Sequence, residues 1–141
     1  MSANLKLSIL TPERRLVEDL SVIEVTLTGS EGQIQVLPGH APMIGTLTTG
    51  LFSYHVDGKE PVSGVISTGF FEVKDDHLSV MAETLELKGE ISLERARKAQ
   101  VLAEETLKSA DLNEHQFKKY QLKLQRSLIR QNLGGADHSG H

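Results

Sequence analysis

Glycine recurs at positions 29, 32, 39, 45, 50, 58, 64 and 69, and between these glycines apolar side chains alternate with polar ones. No other feature of the sequence limits the fold as tightly. In a strand every second side chain faces the same way, so a period of two marks a surface half-buried against a core. A helix needs apolar residues three and four apart, and frequent glycine weakens it. Leu5, Leu7 and Ile9 alternate with polar neighbours, as do Ile23, Val25 and Leu27, and Ile34 with Val36. Phe52, Tyr54 and Val56 alternate up to Asp57-Gly58, a two-residue hairpin signal. Phe71 and Val73 lead to Asp75-Asp76, and Leu78, Val80 and Ala82 follow. Short strands, many turns and no intervening helix predict an antiparallel β-sandwich or barrel over residues 1–86.

After Gly89 the period changes. From Ser92 to about Ala110 there is no Gly or Pro, and strong helix formers dominate. Ser92 suits an N-cap. Ala96, Ala99, Ala103, Leu107 and Ala110 fall on one helical face, small enough for close approach of a second helix. Asn113 with Gln116 three residues later matches a capping box, which opens a second helix. Its expected apolar stripe is Phe117, Tyr120, Leu124 and Leu128, and Gly134-Gly135 is expected to stop it. The short link predicts an antiparallel two-helix hairpin over 87–134, with 135–141 a disordered tail. The expected architecture is therefore α+β, a β-sandwich followed by a helical hairpin, without internal repeats.

Composition removes several functional classes. No window approaches the ~18 apolar residues of a membrane span. The opening residues lack the basic and apolar regions of a secretory signal, and are too few before the first strand for a transit peptide. Membrane association is thus expected only through a protein partner. With no Cys there is neither a disulfide framework nor thiolate chemistry. Up to Lys88 there are 6 basic and 12 acidic residues, a net −6, against 9 and 7, a net +2, from Gly89 onward. The acidic front half argues against nucleic acid, and the split suggests two parts with different partners.

The stretch Gly29-Ser-Glu-Gly-Gln-Ile-Gln-Val-Leu-Pro-Gly-His-Ala-Pro42 is the most specific in the chain. With Leu5-Lys-Leu-Ser-Ile-Leu-Thr-Pro-Glu13, Ser67-Thr-Gly-Phe-Phe-Glu-Val73 and Val80-Met-Ala-Glu-Thr84, it makes four blocks in order. In sequence, spacing and length these blocks resemble the bacterial-type epsilon subunit of F-type ATP synthases. The resemblance covers nearly the whole chain. It implies a non-catalytic rotor subunit without cofactor, whose sandwich binds the gamma subunit and rests on the c-subunit ring. It further implies that the hairpin folds down or extends toward the alpha and beta subunits and inhibits ATP hydrolysis. The implied location is peripheral, on the cytoplasmic face of the bacterial inner membrane.

Residue by residue, the resemblance places Ser30, Glu31, Gly32 and His40 at contacts with the ring's polar loops. Read without it, the same glycines and prolines set turns, and His40 caps one of them. Gln33 stands where many members have an acidic residue. Ile91, Arg95 and Ala96 match a motif that binds ATP in some bacterial members, with Arg95 suited to phosphate. The Asp of that motif is Ser92 here, which equally serves a simple N-cap. Lys119, Lys123, Arg126 and Arg130, spaced by four, three and four, form a basic stripe. The resemblance implies docking of this stripe on an acidic segment of beta, whereas charge runs are usually solvated faces. His138 and His141 lack a third ligand and a fixed geometry for metal, and no ligand spacing joins His40, His55 and His77. No phosphate-binding loop, nucleophile elbow or zinc-protease motif occurs. The rival class is a small β-sandwich ligand- or metal-binding enzyme domain with a helical dimerisation hairpin.

Overall fold

The computed structural model describes residues 4–109 and 111–139. The chain divides into two compact units, Met1–Glu86 and Leu87–His141.

Among the described residues, the first unit is built from ten strands. They are β1 (Leu5–Leu10), β2 (Arg15–Val22), β3 (Glu24–Gly29), β4 (Gly32–Val36), β5 (Met43–Leu47), β6 (Gly50–His55), β7 (Val62–Ile66), β8 (Gly69–Lys74), β9 (His77–Ala82) and β10 (Leu85–Leu87). Their order is β10-β7-β6-β3-β5-β8-β9-β1-β2, with β4 paired to β3. Strand β3 turns the corner between the two layers of the sandwich. Its first half pairs with β6, while its last residue, Gly29, pairs with Leu47 of β5. The expected alternation fills the core: Leu5, Leu7, Ile9, Val25, Leu27, Val36, Phe52, Phe71, Val73, Leu78 and Val80 are almost fully buried. Each such side chain contributes about 1.5–3 kcal/mol on burial, which lets a core poor in aromatics hold the sandwich together.

Three points differ from the sequence expectation. Strand β1 pairs antiparallel with β2 but parallel with β9, so the sheet is not purely antiparallel. Strands β2 and β3 are separated at Ile23, whose backbone N–H donates to His55 O at 2.8 Å. Asp57-Gly58 does not join β6 and β7 directly. It lies in a turn closed by Lys59 N–H to Val56 O at 3.0 Å, with Gly58 at φ 80°, inside the longer connection 56–61. Asp75-Asp76, by contrast, is a two-residue turn, because Lys74 pairs with His77.

The second unit opens with a 3-10 turn, Lys88–Glu90, followed by α1 (Leu93–Ser109) and α2 (Glu114–Ser139). Ser92 caps α1: its Oγ accepts from Arg95 N–H at 3.2 Å and its carbonyl from Ala96 N–H at 2.9 Å. Asn113 and Gln116 form the reciprocal box, Gln116 N–H to Asn113 Oδ1 at 2.8 Å and Asn113 N–H to Gln116 Oε1 at 3.2 Å.

The hairpin corrects two expectations. The apolar stripe of α2 meets α1 only in part: Tyr120 and Leu124 are half-buried, whereas Phe117 and Leu128 are 44% and 46% exposed. Ala96 and Ala103 of α1 and Ser127 of α2 are buried instead. Gln131 Nε2 donates to Gln100 Oε1 at 2.7 Å and to Ala96 O at 3.5 Å. Small and amide side chains thus take the most buried positions of the helix pair, and the large apolar ones are only partly covered. Secondly, α2 does not stop at Gly134-Gly135 but continues through both to Ser139. A Cβ at Gly134 would stand 3.0 Å from Ile91 Cγ2 and 3.2 Å from Leu93 Cδ2. This glycine allows a close approach within the unit rather than a left-handed stop. Ala110, expected on the packed face of α1, and His141 lie outside the described residues.

Candidate functional site

The structure gathers the first group of expected contact residues at one turn and sets His40 apart. Gly29 pairs with Gly32, so Ser30 and Glu31 form the tip of the β3–β4 hairpin. Gly32 has φ 124°, a conformation that side chains rarely adopt. Ser30 is tied to β5 by its N–H to Thr46 O at 3.0 Å and by a hydroxyl pair with Thr46 Oγ1 at 2.7 Å. Glu31 is exposed at this braced tip. An acidic group presented on a fixed turn suits a basic partner loop.

His40 lies beyond the other end of β4, a five-residue strand and hence roughly 16 Å long. Its N–H donates to Leu37 O at 3.1 Å, and its Nδ1 lies 2.7 Å from Ala41 O. The preceding Gly39 has φ 85°, and its N–H donates to Asp76 Oδ1 at 2.6 Å. Glu31 and His40 therefore belong to opposite ends of one strand, and a partner meeting both must be broad.

Three of the four cations expected to dock share one groove of the hairpin. Lys119 and Lys123 are exposed, and Arg126 and Arg130 are half-buried. Lys123, Arg126 and Arg130 line a groove of about 230 Å³ in the hairpin, together with Leu102, Thr106 and Tyr120. Lys123 Nζ sits 5.1 Å from the centre of the Tyr120 ring, a cation–π contact. The groove thus combines positive charge with apolar wall, a pairing that suits an acidic amphipathic segment. Exposed Val101 and Leu102 extend the apolar part along α1. Sequence reading missed these two, because their spacing departs from the alanine face.

Of the nucleotide-motif residues, Arg95 is exposed in the first turn of α1, whereas Ala96 is buried. Ile91 packs toward Gly134. Among the described residues no group of three or more His, Cys, Asp or Glu is placed to hold a metal ion. His77 Nε2 pairs with Asp19 Oδ1 at 2.6 Å, a partner 58 positions away that no local motif signals. Burial raises the pKa of the Tyr54 hydroxyl above its ordinary 10.0. No described helix is long and apolar enough to cross a membrane.

Residues 4–88 match the family model described as ATP synthase, Delta/Epsilon chain, beta-sandwich domain. The ATP synthase epsilon chain of Trichlorobacter lovleyi is 44% identical over 135 residues, covering 96% of this chain and 96% of that one. Among solved structures, a chain in the Euglena gracilis mitochondrial ATP synthase (OSCP/F1/c-ring, rotational state 1) aligns with TM-score 0.80 and 21% identity. That alignment covers 100% of this chain and 84% of that chain. A chain of the Tetrahymena thermophila mitochondrial ATP synthase central stalk and c-ring aligns with TM-score 0.63 and 15% identity, over 89% and 91%. At these identities the two structural matches speak to the fold.

Proposed function

The chain belongs to the ATP synthase epsilon chain family, and from that premise we propose that it is a non-catalytic central-stalk subunit joining gamma to the c-ring. The observation that carries this reading is the 44% identity to an epsilon chain across 96% of both chains, which spans the hairpin as well as the sandwich. A rigid ten-stranded unit suits a part that must transmit torque without yielding. The Ser30–Gly32 tip and the His40 loop are two separate contacts with the ring, one at each end of β4. The chain is a peripheral member of a membrane-associated complex, on the cytoplasmic face of a bacterial inner membrane.

The hairpin regulates hydrolysis. Its helices meet through alanine, serine and glutamine, which bury little apolar surface per residue. A helix pair held this lightly is suited to exchanging its contacts for those of a partner. Lys119, Lys123, Arg126 and Arg130 then dock on an acidic segment of beta, alongside alpha. A partner shifts such an equilibrium only by its greater affinity for one state. The rival reading, a ligand- or metal-binding enzyme domain, explains neither the epsilon-chain relatives nor the matched family model.

A second reading adds a regulatory ATP contact at Arg95, favoured by its exposed position in the first turn of α1. Equilibrium dialysis of wild type and Arg95→Ala with ATP tests it, and equal uptake by the two sinks it. The main reading is tested by adding the full-length chain to membranes stripped of their own epsilon subunit. Rebinding with restored coupling of proton or sodium flow to synthesis supports it. Failure to bind, with gamma and ring from the same organism present, overturns it.

A further inference from the structure

Among the described residues, the non-glycine positions with a left-handed backbone are Asp19, Asp75 and Asp76, at φ 51°, 52° and 57°. Asp75 and Asp76 form the two-residue turn between β8 and β9. Positive φ at both central residues is the geometry of a type I′ turn, where glycine is the least strained choice at the second position. Aspartate at 76 accepts strain that glycine would avoid. An observed outlier of this kind prompts the question of what its side chain does.

The Asp76 carboxylate leaves its own hairpin. Its Oδ1 accepts the N–H of Gly39 at 2.6 Å, across 37 positions of sequence. Its backbone carbonyl meanwhile accepts Lys6 N–H at 2.9 Å, which fixes the turn to β1. Next in the chain, His77 pairs with Asp19 at 2.6 Å, and Asp19 N–H is in turn held by Ser8 Oγ at 3.0 Å. The turn is thus anchored on β1 and β2 and extends one charged acceptor to the loop 37–42. Gly39 has φ 85°, and a Cβ built on it would meet nothing within 4 Å. A charge-assisted hydrogen bond from Asp76 holds the peptide that enters Gly39, and His40 N–H to Leu37 O holds the one that leaves it. The peptide of Gly39 sets the direction in which His40 leaves the loop.

We propose that Asp76 is a positioning residue, whose carboxylate orients the Gly39 peptide so that His40 is presented to the c-ring. This rests on reading His40 as a ring contact. Asp76→Gly relieves the strained turn but also removes the bond to Gly39, two opposing effects on stability, so the two roles separate through local opening at Gly39 and not through the unfolding midpoint. Asp76→Asn keeps an oxygen acceptor on a residue that tolerates the left-handed region, and should restore much of the function.

The test uses full-length wild type, Asp76→Gly, Asp76→Asn and His40→Ala. Thermal unfolding and hydrogen exchange at the Gly39 amide are measured on the chain. ATP synthesis at a fixed gradient of the coupling ion, proton or sodium, is measured in the complete reconstituted complex. In Asp76→Gly we expect a chain still folded at the assay temperature and Gly39 exchange faster by about tenfold or more, the scale of a charged hydrogen bond. Synthesis should drop in Asp76→Gly and His40→Ala, with Asp76→Asn closer to wild type. Unchanged Gly39 exchange in Asp76→Gly overturns the proposal whatever the ring contact proves to be. Faster exchange with normal synthesis, while His40→Ala is impaired, overturns it and leaves the ring reading standing. If neither variant affects synthesis, the ring reading at His40 fails and the proposal fails with it.

Discussion

Replacing Gly135 with alanine measures where the second helix ends. The sequence marks Gly134-Gly135 as a stop, whereas α2 runs to Ser139. A Cβ at Gly135 meets nothing within 4 Å. With no clash to oppose it, the substitution should realise the helix-propensity gain of alanine over glycine, about 0.8–1.0 kcal/mol in a helix interior. Fraying near the C-terminus takes a share, which leaves about 0.5–1 kcal/mol and slows local opening roughly two- to fivefold. Gly134→Ala serves as the internal control. Its Cβ stands 3.0 Å from Ile91 Cγ2 and 3.2 Å from Leu93 Cδ2, so both side chains must give way and most of the gain is cancelled. Hydrogen exchange of the amides from Leu128 to Gly135, with helix ellipticity alongside, reads both variants. Slower exchange in Gly135→Ala and little change in Gly134→Ala is expected. If Gly135→Ala instead speeds exchange and lowers ellipticity, Gly135 holds a left-handed conformation and the helix ends near Leu133.

Other perturbations reach the sandwich and the basic groove. In Gly69→Ala the added Cβ runs into the carbonyl oxygen of Met81 and comes 2.8 Å from Ala82 Cα. Backbone cannot move aside as a side-chain tip can, so urea unfolding should show a loss of at least about 2 kcal/mol. Tyr54 has its pKa raised by burial, so the folded chain keeps that proton at pH values where the unfolded chain loses it. Its contribution is present below pH 10.0 and is lost as pH rises through the higher folded value; Tyr54→Phe should flatten stability over that alkaline range. The paired reversal Lys119→Glu with Lys123→Glu changes two exposed cations, and should weaken inhibition of hydrolysis by about three- to tenfold without loss of gamma binding. The difference should shrink in high salt, because exposed charges are screened; equal inhibition at low salt would remove these lysines from the docking surface.

The core strands were legible because each buries one face. Leu5, Leu7 and Ile9, or Phe71 and Val73, announce themselves by period two and are all buried. Strand β2 was not, because its register against β1 shifts between Leu7 and Ile9 and again before Leu10, which breaks the alternation. Parallel pairing of β1 with β9 leaves no mark in either strand taken alone. Both helix starts were readable from Ser92 and from Asn113 with Gln116, since capping is local chemistry. The face of α2 that meets α1 was hidden, because Ser127 and Gln131 read as surface residues until Ala96, Gln100 and Ala103 are placed against them. At the candidate contacts, the turn chemistry of Ser30–Gly32 was visible. The bond from Asp76 to Gly39 was not, for it joins residues 37 positions apart.

The most direct measurement is the ATPase rate of a catalytic head that retains gamma but lacks its own epsilon subunit. Three additions are compared: none, the full-length chain, and a truncation ending at Lys88. If the sandwich anchors the chain and the hairpin is the brake, both forms bind and only the full-length chain slows hydrolysis. Binding by both with no slowing by either would contradict the regulatory role of the hairpin, and binding by neither would contradict the central-stalk assignment itself.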